Sequence, residues 1–173
     1  MQIRPSRTSF KSLLGVERRA WLTELGGKIS ALFSSRKVVH GDAAYWIGSQ
    51  ADAIYATPSS RVGSVGVLQT VTNRTDQLKM RGVTVETFSA GKYKSTGLPH
   101  MPLTDEQRAM IQANVDEIHA DFKTAVLARG RQIPPEAMEG QDFTGKNAAA
   151  KGMVTGLVQN RSQAIDKLSK RTR

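Results

Sequence analysis

The chain of 173 residues contains no cysteine. Disulfides, zinc–thiolate sites and a thiol nucleophile are thereby excluded, which is compatible with a reducing compartment. Aromatic residues are scarce, at 6%, and do not interleave with the basic stretches as a nucleic-acid surface would require. No apolar run approaches the roughly 18 residues of a membrane span. The N-terminus is positive but lacks the apolar stretch of a secretory signal. His40, His100 and His119 are far apart, with no helical pair among them, so neither a metal site nor a cofactor is expected. These absences together favour a cytoplasmic setting without membrane contact.

What is present begins with charge. The net charge is +10, and it sits at the ends. Residues 1–40 hold eight Lys/Arg against two Asp/Glu, residues 158–173 hold five against one, and the stretch between is neutral. Contact of these basic ends with nucleic acid or an acidic partner is therefore the weakest of the options. The length suits one domain with a real core, and 39% hydrophobic with 23% charged residues is ordinary for a globular chain.

Periodicity gives a coarse map. Trp21, Leu22, Leu25, Ile29, Leu32 and Phe33 recur at threes and fours, which predicts an amphipathic helix interrupted at Gly26-Gly27. Val38-Val39 could end a buried strand. A short helix of small residues is expected over 43–50, then a strand over 52–57 stopped by Pro58. Alternation predicts strands at 65–71 and on Val83, Val85 and Phe88, joined by a helix over 72–81 that Gly82 closes; strand–helix–strand would make a parallel crossover. Thr104 and Gln107 form a capping box before the stripe Ile111, Val115, Ile118, Phe122 and Val126, with Gly130 as the stop. Pro134-Pro135 opens a short helix, Thr144-Gly145-Lys146 another, and a basic helix follows from Ser162.

Three motifs carry chemistry. Gly41-Asp42-Ala43-Ala44-Tyr45-Trp46 leads into Ala56-Thr57-Pro58 and Ser60-Arg61-Val62-Gly63-Ser64-Val65-Gly66-Val67; Gly91-Lys92-Tyr93-Lys94-Ser95 follows; Thr144-Gly145-Lys146-Asn147-Ala148 and Gly152-Met153-Val154 close the set. This series resembles the signal peptide peptidase A family of serine–lysine peptidases, in particular its soluble phage and prophage head-protease branch. The resemblance covers roughly residues 38–158. It implies an α/β protein of the ClpP/crotonase-like kind, with stacked β-β-α units that are incomplete at the N-terminus. Residues 1–37 would be a basic, poorly patterned segment, 38–158 the peptidase-like domain, and 159–173 a basic helical tail.

Taken alone, Lys94 beside Lys92 reads as a surface lysine. The resemblance makes it the general base, 52 positions after the nucleophile, as in family members. A lysine base needs burial and no carboxylate partner to bring its pKa down from about 10.4. The nucleophile position, however, holds Asp42. Aspartate cannot usefully attack a peptide carbonyl in place of a serine hydroxyl, and a carboxylate near Lys94 would favour the ammonium. Asp42 also reads plainly as the N-cap of the helix from Ala43. Ser34, Ser35, Ser49, Ser59, Ser60 and Ser64 are all off the family's position. The glycine pair that supplies an oxyanion donor in relatives, after an Asn/Asp-Ser-Pro segment, has no counterpart; losing such a donor costs on the order of 3 kcal/mol in the barrier.

Gly63, Ser64 and Gly66 would border the bound peptide, which adds as a strand. The expectation is thus a serine-peptidase-family protein of impaired endopeptidase activity, in the cytoplasm or a phage particle. Its partners would be a peptide or protein substrate strand and further copies in a homo-oligomeric ring. The alternative is a non-catalytic scaffold or assembly component of a phage or prophage particle.

Overall fold

The computed structural model describes residues 20–25, 28–33 and 42–171. Contacts divide it into two units, one running up to Gly66 and resuming at Asp121, the other Val67–Ala120.

In the first unit, Ala20–Leu25 (β1) and Lys28–Phe33 (β2) pair antiparallel, in register from Ala20↔Phe33 to Leu25↔Lys28. The helix expected from Trp21 onward is replaced by two strands. The spacing of Trp21, Leu25, Ile29 and Leu32 coexists with a competing signal, a Gly-Gly dipeptide between two six-residue runs, which is a hairpin signature. Val38-Val39 lie outside the described residues. Ala53–Ala56 (β3) runs parallel to β2, and Gly156–Leu157 (β6) parallel to β3, giving the order β1-β2-β3-β6.

β3 is buried along its whole length, as a strand covered on both faces should be. Its alternation sorts the core into two layers. Ile54 and Ala56 join Tyr45 of α1 (Asp42–Ser49) and Phe122 and Val126 near the end of α3 (Asp105–Leu127). Ala53 and Tyr55 instead join Val158, just after β6, and Ala164, which belongs to α5 (Arg161–Arg171). The sheet therefore has helices on both faces, an α/β arrangement. β3 ends before Pro58, as expected.

A second, two-stranded sheet pairs β4 (Arg61–Gly63) antiparallel with β5 (Asp142–Thr144). The strand expected at 65–71 does not form; it falls earlier, because Gly63 (φ 126°) and Ser64 (φ 56°) turn the chain at its end. Thr144 caps α4 (Gly145–Ala150), its hydroxyl accepting the Asn147 N–H.

In the second unit, α2 (Thr75–Met80) closes at Gly82: the Gly82 N–H donates to Lys79 O and the Val83 N–H to Leu78 O, a Schellman pair. The strand expected on Val83, Val85 and Phe88 is absent, so the crossover is not made. These side chains are 46%, 45% and 92% exposed. Alternating β-branched residues become a strand only when a neighbouring backbone takes their hydrogen bonds and one face is buried. No described residue supplies either. The capping box of α3 forms as expected, with the Thr104 N–H donating to Gln107 Oε1 (3.0 Å) and the Gln107 N–H to Thr104 Oγ1 (3.2 Å).

Candidate functional site

Asp42 is the first residue of α1. The small residues that follow let this helix sit close to its neighbours, and its far end is tied down from several directions. The Tyr45 hydroxyl donates to Met153 O at 2.8 Å in the buried core. Burial pushes that phenol well above its usual pKa, with the positive charge of Arg131 opposing the shift. Trp46 stacks on Phe122, ring centroids 4.5 Å apart. The Ser49 hydroxyl donates to Trp46 O, and Gln50 bridges Ser49 Oγ to Ala125 O.

Arg131 completes the anchorage. Its guanidinium donates to Ser49 O at 2.5 Å and Ala51 O at 2.8 Å. These carbonyls lie at the end of α1, where the helix dipole favours a cation. Burial draws the Arg131 pKa below its usual value, while the Tyr45 phenol acts the other way. Asp52 is held beside it by Arg129 at 3.0 Å.

Gly63, Ser64 and Gly66 lie on β4 and its continuation. The ladder with the 140–144 segment extends past the strand, the Ser64 N–H donating to Gln141 O (2.8 Å) and the Gly140 N–H to Val65 O (2.9 Å). A Cβ on Gly63 would stand 2.5 Å from Gln141 O, so the close approach and the positive φ both require glycine. One edge of this run is thereby occupied; an added peptide strand would have to use the other. α1 packs against β4. Ser49 and Ser60 are buried, their hydroxyls donating to Trp46 O and Thr57 O, which gives both a structural role.

Lys94 belongs to the second unit. It sits exposed in consecutive turns over 91–97, its N–H donating to Gly91 O, and the loop does not follow a strand as expected. Beside it, Lys92 Nζ donates to Glu106 Oε1 at 2.6 Å and the Tyr93 hydroxyl to the same oxygen at 2.5 Å. Lys92, then Tyr93, hold the Glu106 carboxyl below its ordinary range, and Glu106 in turn raises the Tyr93 phenol. The sites proposed from sequence thus divide between units: Asp42, Gly63, Ser64 and Gly66 in the first, Lys94 in the second.

Sequence reading missed Arg131 and Glu106. Arg131 has no local signal, since its acceptors lie about 80 positions away. Glu106 was visible only as an acid in the first turn of α3. Among the described residues no cluster of three or more His, Asp or Glu could hold a metal. No described helix is long and apolar enough to cross a membrane.

Comparison with known proteins adds the family. Residues 31–173 match peptidase family S49. A putative protease of Methanocaldococcus jannaschii is 30% identical over 141 residues, which cover 76% of this chain and 45% of that protein. A putative signal peptide peptidase SppA of Enterococcus faecium is 27% identical over 143 residues, 80% of this chain and 41% of that one. A Brucella abortus protein named as the Na(+)/H(+) antiporter NhaA is 35% identical over 127 residues, 72% of this chain but 17% of its own length. The chain thus spans less than half the length of these relatives. With the match running over most of its residues, the chain belongs to peptidase family S49.

Proposed function

We propose that the chain is a peptide-binding member of this serine-peptidase family, of the phage or prophage head-protease type, in which endopeptidase activity is impaired. The observation that carries this is Asp42 at the first position of α1, where the family resemblance places the nucleophilic serine. A carboxylate there offers no alcohol to attack a carbonyl. Were it near Lys94, it would also keep that amine protonated. The backbone at Gly63-Ser64-x-Gly66, paired on one side with residues 140–142, would accept a substrate strand on its other side through backbone hydrogen bonds. On this reading the chain would take the ClpP/crotonase-like plan that the resemblance implies, with Lys94 at the position of the general base.

Labelling with a fluorophosphonate probe tests the impairment. No serine in the wild-type chain is expected to react, and labelling of any serine would overturn the proposal. Asp42→Ser is expected to leave casein hydrolysis at background, because no oxyanion-hole segment is evident in the sequence.

A second reading, a non-catalytic assembly component, is favoured by one feature. Leu68, Met80 and Phe88 are 83%, 83% and 92% exposed, large apolar side chains that a further subunit would cover. Light scattering distinguishes it: a discrete ring or dimer supports assembly, and a monomer at micromolar concentration removes it.

A further inference from the structure

The sequence offers two lysines one residue apart, Lys92 and Lys94, in a loop where relatives use one amine as base. Both are exposed, and both lie in the same series of turns. Their environments differ sharply. Lys92 Nζ donates to Glu106 Oε1 at 2.6 Å and lies 5.2 Å from the centre of the Tyr93 ring. The Tyr93 hydroxyl donates to that same carboxylate oxygen at 2.5 Å. Lys94 has no ion pair or side-chain hydrogen bond among the described residues.

The geometry points to Glu106 as a positioning residue that selects Lys94 as the free amine of the loop, by holding Lys92 and Tyr93 to the first turn of α3. The identity of Lys94 as the amine that matters rests on the peptidase reading above; the selection itself does not. Two contacts from adjacent residues to one oxygen fix the local backbone in a way that a single ion pair would not. Successive residues in such turns point in different directions, so fixing residues 92 and 93 also fixes where residue 94 projects. Glu106 can do this because the capping box of Thr104 and Gln107 holds the start of its helix. The same arrangement engages the Glu106 carboxylate with Lys92 and Tyr93 rather than with Lys94. A lysine that is to act as a base must lack such a partner.

Trace acetylation of the full chain, read lysine by lysine by mass spectrometry, tests this without any need for hydrolysis. In the wild type Lys94 should react about threefold faster than Lys92, the protection expected of an exposed ion pair. Glu106→Gln, which keeps shape and removes charge, should bring the ratio close to one. Glu106→Asp should restore part of it. An equal rate for the two lysines in the wild type, or a ratio unmoved by Glu106→Gln, would overturn the assignment. Lys92→Met supplies an independent check. With Tyr93 still bonded to Glu106, the Lys94 rate should stay within about twofold of wild type. A clear fall would mean that either lysine can take the carboxylate, and selection would be refuted. Fluorophosphonate labelling of a serine in the wild-type chain would sink only the impaired-peptidase reading, because the lysine labelling ratio does not depend on turnover.

Discussion

Replacing Arg131 with methionine should cost the first unit about 2–4 kcal/mol. Two hydrogen bonds from a charged donor are lost, to Ser49 O and Ala51 O, and bonds of this kind contribute about 1.5–3 kcal/mol each. The sum is then discounted. Arg131 is only partly buried, and its own desolvation, visible in its lowered pKa, opposes the gain. Methionine retains most of the apolar stem, so the loss reports on the guanidinium. For a chain of this length the change corresponds to a fall in Tm of roughly 4–16 °C. Urea unfolding followed by tryptophan fluorescence is a suitable assay, with the midpoint expected to move and the slope to stay constant. Arg131→Lys is the control: one ammonium cannot span two carbonyls, so about half the loss should remain. A methionine variant within about 0.5 kcal/mol of wild type would refute the anchorage.

Two further substitutions probe the same core. Tyr45→Phe leaves Met153 O without its buried donor and should cost about 1–2 kcal/mol. It should also alter alkaline behaviour. The native phenol titrates above its usual range because it is buried, so its contribution is complete below about pH 10 and is lost as pH rises through the higher native value. Urea midpoints should therefore fall more steeply above about pH 10 in the wild type than in the phenylalanine variant; parallel slopes would refute this. Gly145→Ala would drive a methyl into the Thr57 carbonyl and to 2.9 Å from Ser60 Oγ. Since backbone must move to admit it, the loss should reach about 2 kcal/mol or more, and a thermal scan indistinguishable from wild type would remove the claimed contact.

What could be read from the chain in advance was what is locally determined. The capping box of α3 needs only Thr104 and Gln107, and the end of β3 needs only Pro58. α1 and α4 follow from short runs of small residues between clear stops. The failures have a different origin. At Trp21 to Phe33 the helical spacing and the Gly-Gly hairpin signal compete, and the outcome depends on β3, to which β2 pairs at Ser30↔Ala53. Arg131 and Glu106 act across loops and leave no pattern at all. Asp42 and Lys94 were legible as motif positions, but a motif cannot say which carboxylate a lysine meets.

The two missing strands are the more instructive failure. Residues 65–71 and 83–88 have the composition and alternation of β-structure, yet beyond the Gly140 N–H that reaches Val65 O no strand of the described residues pairs with either segment. Alternation states a preference for pairing; it does not state with what. Val83, Val85 and Phe88 would lower their free energy by acquiring such a partner, since their exposed apolar area is worth about 25 cal/mol per Å² on burial. That preference is independent of catalysis. Any backbone that paired with this segment and covered one of its faces would meet that preference, whatever the chemistry elsewhere in the chain.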